Sequence, residues 1–245
     1  MQHKNDFDMI YVKPSPQEFA YFIDGEITEP SNYRELMQVL NSMAEGDSLE
    51  LTINSHGGFL HSTTMISNAI RSTRGHVHGV LNGVAMSGAS ILYLSCHSVD
   101  VLPHSTFMAH TSSGAEYGKL SDTTRSIQSS VKQLEALYKD VYWGFYTEEE
   151  IDDILAGKDS YLEYDEICKR LDQREKLLIK QQEQTIAEQE ADMDAMFDEM
   201  EPPLAPEIVD KLSKQDLRDY IKGMIEVKVD TDGSYEIIKT ESFIE

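Results

Sequence analysis

The chain is short of basic residues, cysteine and long apolar runs, and each shortage narrows what it can be. Of its 245 residues, 21 are lysine or arginine against 44 aspartate or glutamate, a formal net charge of −23. A surface that negative repels nucleic acid and anionic membrane, so neither is expected as a partner. The two cysteines, Cys96 and Cys168, offer no disulfide framework and no metal-ligand spacing, which fits a reducing compartment. No apolar run approaches the length of a membrane span, and residues 1–9 are polar and charged, unlike a signal peptide. A soluble cytoplasmic protein is the expectation. No histidine follows His110, which restricts where a catalytic base can lie.

Hydrophobic residues make up 40% of the chain, enough for a sizeable core. Residues 1–17, with Pro14 and Pro16, read as irregular. Glu18 to Ile23 suits a strand, with Asp24-Gly25 as a turn after it. Leu36, Val39, Leu40 and Met43 recur at helical spacing over Tyr33 to Met43, and Ser48 to Asn54 alternates like a strand. Strand, helix, strand implies an α/β fold with parallel strands. A helix over Ser62 to Ser72 follows, then a strand over His76 to Leu81. Ser98 to Leu102 and Thr106 to His110 read as short strands. Leu120 to Phe145 carries an apolar stripe of Ile127, Val131, Leu134 and Leu137, and a short acidic helix runs from Thr147 to Leu155.

The chain is organised around Asn82 to Ser90. Apolar runs enter it as a strand and leave it as a helix, and Ser87 sits among Gly83, Ala85, Gly88 and Ala89. A serine at such a turn has little bulk around its hydroxyl, the setting a nucleophile needs to reach a carbonyl carbon beside backbone N–H groups. The bland alternative is a small-residue turn that lets a helix pack closely on a sheet. Ser90 is expected to be a bystander. Asn54-Ser55-His56-Gly57-Gly58 lies between a strand and a helix, and its glycine N–H groups are unshielded and suited to an anion. His110 ends an apolar segment beside a polar loop. Asp152 and Asp153 lie on the acidic helix and should face solvent, whereas Asp159 follows the helix-ending Gly157 and precedes Tyr161-Leu162.

Chain order removes one rival. An α/β-hydrolase triad runs Ser, Asp, His. With no histidine after His110, and Asp100 the only carboxylate between Ser87 and His110, that order leaves Ser87 a single candidate carboxylate and is disfavoured. The arrangement left for a serine with a downstream histidine is Ser, His, Asp.

These residues resemble the ClpP family, the proteolytic subunits of the Clp ATP-dependent proteases. Ile53 to Gly58 looks like its Ile-Asn-Ser-Pro-Gly-Gly segment, and Gly83 to Ser87 like its Gly-Gln-Ala-Ala-Ser segment. Phe107 to His110 is similar to the segment ending in its histidine, and Lys158 to Leu162 to the one holding its aspartate. Ser87 lies 29 residues after Gly58, His110 lies 23 after Ser87, and Asp159 lies 49 after His110. The first and last spacings match the family and the middle one is slightly shorter. His56 stands in place of proline, Gly88 in place of methionine and Thr111 in place of glutamine, and the family's terminal part is hard to find after Glu166.

The resemblance implies a ClpP/crotonase-like α/β fold, a β-β-α spiral over residues 18–172 with a handle helix in 111–150. It implies a serine endopeptidase acting on protein or peptide substrates. Ser87 would be the nucleophile, His110 the base, Asp159 its orienting carboxylate, and the backbone N–H groups of Gly58 and Gly88 the oxyanion hole. It implies no metal or organic cofactor. Homo-oligomeric assembly as two stacked seven-membered rings, served by an ATP-driven unfoldase, would follow; this sequence has no phosphate-binding loop of its own. Two relatives of similar fold offer alternatives: a viral capsid-maturation protease whose tail binds capsid or scaffold protein, and a non-proteolytic crotonase-like acyl-CoA or binding module. Residues 173–245 read as an acidic helical extension, exposed or self-associating, and a small α+β appendage: a helix over Pro206 to Met224, then a hairpin over Glu226 to Lys239 around Asp232-Gly233.

Overall fold

The computed structural model describes residues 15–111 and 120–199, positions 213, 216 and 220, and segments 225–229 and 235–239. Residues 1–14, most of the expected helix 206–224 and the Asp232-Gly233 turn lie outside the described residues. The chain divides into two compact units, one ending at Leu178 and one beginning at Ile179.

The first unit is built on a sheet of six strands: β1 (Glu18–Ile27), β2 (Ser48–Gly58), β3 (His76–Met86), β4 (Ser98–Val101), β5 (Thr106–Ala109) and β6 (Ser160–Glu163). The order is β1-β2-β3-β5-β6, with β4 also on β3. All pairings are parallel except β5 with β6. Parallel pairs need crossovers, and α1 (Arg34–Ser42) and α2 (Leu60–Ser72) supply the first two. Leu49, Leu51 and Ile53 alternate into the core from β2, and Leu36 and Leu40 meet them from α1. Helix α3 (Gly88–Ser95) is buried at every position, which its apolar run Ile91 to Leu94 permits. The mixed α/β architecture is ClpP-like.

Three strands bend at one level. β1 shifts register between Asp24 and Glu26, β2 between Ile53 and Ser55, and β3 changes partner after Leu81. The first half of β3 pairs with β4 and its second half, Val84 to Met86, with β5. Asp24-Gly25, expected as a turn, is therefore a bulge inside a longer β1, because pairing with β2 continues to Ile27↔Gly58. Likewise Asn54 to Gly58, expected as a loop, is the far end of β2.

Helix α4 (Leu120–Val141) is followed by α5 (Glu148–Leu155), which Thr147 and Glu150 close with reciprocal side-chain-to-backbone bonds of 3.2 and 2.9 Å. Helix α6 (Tyr164–Glu199) docks through its first turns. Arg170 donates to both Glu150 oxygens at 2.9 and 2.7 Å, to Glu166 at 2.9 Å and to the Phe145 carbonyl at 3.1 Å. It also lies 4.9 Å from the Tyr146 ring centre. One turn on, Arg174 donates to the Leu94 carbonyl at 3.0 Å. The boundary expected after Asp172 thus falls within α6, and the first unit runs on to Leu178. In the second unit, β7 (Ile225–Val229) and β8 (Tyr235–Lys239) pair antiparallel, as expected of a hairpin.

Hydrogen bonds from Arg170 hold the Glu150 carboxyl down at about 2. A carboxyl lowered in the folded state stabilises fully above its unfolded value and loses that contribution as pH falls through the folded one. Glu150→Gln should therefore lower the urea midpoint at neutral pH, with the gap from the parent closing as pH falls toward 2. Urea titrations of both chains across that range check this, and a gap independent of pH would show that the pair is not what α6 relies on.

Candidate active site

Ser87 occupies the junction between β3 and α3 with φ 54° and ψ −125°, one of two described non-glycine residues at positive φ. Such a backbone costs on the order of 1–3 kcal/mol and persists only where its surroundings enforce it. They do so here from two sides. The Ser87 N–H donates to the Met108 carbonyl at 2.9 Å, tying the turn to the end of β5. The Ser87 carbonyl accepts from the Ser90 N–H at 3.0 Å and from the Ser90 hydroxyl at 2.6 Å.

The end of β2 presses on the same turn. Gly57 has φ 92° and Gly58 φ 153°, a region that side chains rarely tolerate. A Cβ at Gly57 would lie 2.6 Å from the Met86 carbonyl oxygen, 2.7 Å from Ser87 Cβ and 2.8 Å from Gly88 N. The Gly57 backbone thus packs directly on the serine turn, and only glycine allows it. Ser55 holds the strand end by donating to the Gly25 carbonyl and accepting from Gly57 N–H at 3.1 Å.

Ser87, Gly88, Gly57, Gly58, His56 and His110 line one pocket of about 470 Å³, with Leu60, Ile91, Met108, Leu134 and Tyr138 on its apolar side. Both proposed oxyanion glycines therefore share a cavity with the proposed nucleophile and base. Asp159 is exposed and is not among the residues lining that pocket. It lies one step past the end of a ladder: Ala109 pairs with Ser160, so the residues immediately beyond are His110 and Asp159. Among the described residues no hydrogen bond joins Ser87 to His110 or His110 to Asp159. Nor is any group of three or more His, Cys, Asp or Glu gathered among them so as to hold a metal ion. No described helix is long and apolar enough to cross a membrane.

The Clp protease family profile matches residues 16–168. The chain belongs to the Clp protease family. It is 31% identical over 106 residues to an ATP-dependent Clp protease proteolytic subunit of Bacteroides fragilis, covering 41% of this chain and 51% of that one. It is 26% identical over 121 residues to ATP-dependent Clp protease proteolytic subunit 3 of Rhizobium meliloti, covering 48% of this chain and 62% of that one. The chain thus matches 51% of the first relative's length and 62% of the second's.

In this Clp-family chain Ser90 is tied to the serine turn. It is fully buried, and its hydroxyl sits 2.7 Å from the Tyr142 hydroxyl while donating to the Ser87 carbonyl. Tyr138 donates to the His110 carbonyl. Glu26, at the β1 bulge, also lines the pocket. Sequence reasoning missed these residues. The available signals were a serine three positions after Ser87, which can back-bond within the first helical turn, and tyrosines four apart at 138 and 142. Ser90→Ala should destabilise by about 1–3 kcal/mol, the usual cost of stranding a buried hydroxyl. Equal urea midpoints for parent and variant would show that the bridge is dispensable.

Proposed function

We propose that this chain is a serine endopeptidase that hydrolyses peptide bonds with Ser87, His110 and Asp159. One observation carries the reading: Ser87, held at positive φ at the head of a buried helix, shares a pocket with His110 and the Gly57-Gly58 strand end. Ser87 Oγ bonds to the carbonyl carbon and its proton passes to His110. The backbone N–H groups of Gly58 and Gly88 stabilise the oxyanion. The C–N bond breaks as His110 returns the proton to the leaving amine, and water, deprotonated by His110, releases the acyl group and restores Ser87. Asp159 orients the imidazole and stabilises its cation. Its place beyond the Ala109↔Ser160 pair supports that role, since the register continues to His110. The apolar wall of Leu60, Ile91, Met108 and Leu134 suits an apolar substrate side chain.

Assembly as stacked rings is part of the same reading. Ile127 and Val131 are 48% and 56% exposed on α4, an apolar stripe suited to another copy of the chain. An ATP-driven unfoldase as partner is supported by the relatives being named ATP-dependent. The relatives' names lend no support to the capsid-maturation or acyl-CoA alternatives.

Ser87→Ala should abolish cleavage of a fluorogenic peptide and leave the assembled mass unchanged; a rate within a few-fold of the parent would remove Ser87 from the mechanism. Asp159→Asn should lower turnover by a large factor, on the order of 10⁴ where such a carboxylate fixes the histidine tautomer. Asp152→Asn and Asp153→Asn, on the exposed face of α5, should be mild. A damaging change at either, with a mild one at Asp159, would move the third member elsewhere.

A further inference from the structure

Tyr138, Tyr142 and Tyr146 recur at four-residue spacing where α4 ends, and all are buried. Tyr142 N–H donates to the Tyr138 carbonyl at 2.9 Å as α4 ends, and Tyr146 N–H to the Tyr142 carbonyl at 3.0 Å across a turn in which Gly144 has φ 75°. Their rings pack edge to face in a column, with centres 4.8 Å apart and planes at 60° for the first pair, and 5.6 Å and 78° for the second. Each hydroxyl reaches a different distant segment. Tyr138 donates to the His110 carbonyl. Tyr142 meets the Ser90 hydroxyl at 2.7 Å; because that hydroxyl gives its proton to the Ser87 carbonyl, Tyr142 is the donor in the pair. Tyr146 donates to Ser160 Oγ at 2.9 Å, next to Asp159.

We propose that this column is a positioning device: three hydroxyls on one packed row of rings set the segments bearing His110, Ser87 and Asp159 in a common frame. The proposal rests on the serine-peptidase reading of the site. It has a physical need behind it. The three segments come from separate parts of the chain, and a group at positive φ such as Ser87 stays put only when held from outside. Catalytic groups must keep their mutual placement to within about 0.5 Å, which is better met by packed rings than by loops. Phe107, three residues before His110, packs on the column with ring centres 6.4 Å from Tyr142 and 6.3 Å from Tyr146. Burial pushes the Tyr138 and Tyr146 phenols up to about 12, and Tyr142 well above its ordinary value, so all three remain donors at any working pH.

Tyr138→Phe, Tyr142→Phe and Tyr146→Phe each remove one hydroxyl and keep the ring. In the full-length chain, kcat on a fluorogenic peptide should fall roughly tenfold or more in each, with KM within about threefold, because small misplacements of reacting groups cost turnover rather than binding. The rate of Ser87 labelling by a fluorophosphonate should fall in parallel. Ser160→Ala removes the acceptor of the third hydroxyl from the other side. It should match the Tyr146→Phe loss, and the double variant should lose little more. Parental kcat in the folded Tyr→Phe variants, with only a lowered urea midpoint, would overturn the proposal and leave the column an ordinary part of the core. Should Tyr142→Phe not fold, Tyr138→Phe and Ser160→Ala decide on the same criteria. Full activity in Ser87→Ala would instead overturn the peptidase reading, and the column's role with it.

Discussion

The close approach of the Gly57 backbone to the Ser87 turn is the contact on which the rest of the structure depends. Two strand ends and a helix N-terminus meet there within van der Waals distance, with no room for a single added carbon. The strained Ser87 backbone can exist only because β2 presses from one side and the Met108 carbonyl binds from the other. Bulges in β1 and β2 and the change of partner in β3 all fall at the level where the strands must turn toward this point.

The fork of β3 follows from the same demand. Its first half is held by β4 and its second half by β5, so the last strand residues before Ser87 lie beside those before His110. The antiparallel β6 then begins at that same end, directly after Asp159. Groups brought together at the carboxyl ends of parallel strands gain a rigid base that loops alone would not give.

The scarcity of cations gives those present unusual roles. Arg170 and Arg174, one turn apart on α6, hold the first turns of that helix to α5 and to the end of α3. Arg174 is half-buried, its Nε is shielded from solvent with no partner among the described residues, and desolvation lowers its guanidinium to about 10. Its charge at the C-terminal end of α3 complements the helix whose N-terminal end carries Ser87.

Much of this was legible in the residues. Alternation in Ser48 to Asn54, the apolar run Ile91 to Leu94 and the helical spacing after Tyr33 identified the elements, because burial of one face imposes a period that local sequence must obey. Residue type and spacing also singled out Ser87, the Gly57-Gly58 pair and His110, which the structure gathers in one pocket. What local sequence did not determine is whatever depends on a distant partner. Asp24-Gly25 has turn chemistry, yet pairing with β2 carries the strand through it. Ser90 reads as an ordinary helix residue until Tyr142, 52 positions on, is placed against it. Past Asp172, Arg174 reaches the Leu94 carbonyl, 80 residues away. Periodicity records how each segment faces the core, while the choice of which groups meet there is made only by packing and strand register.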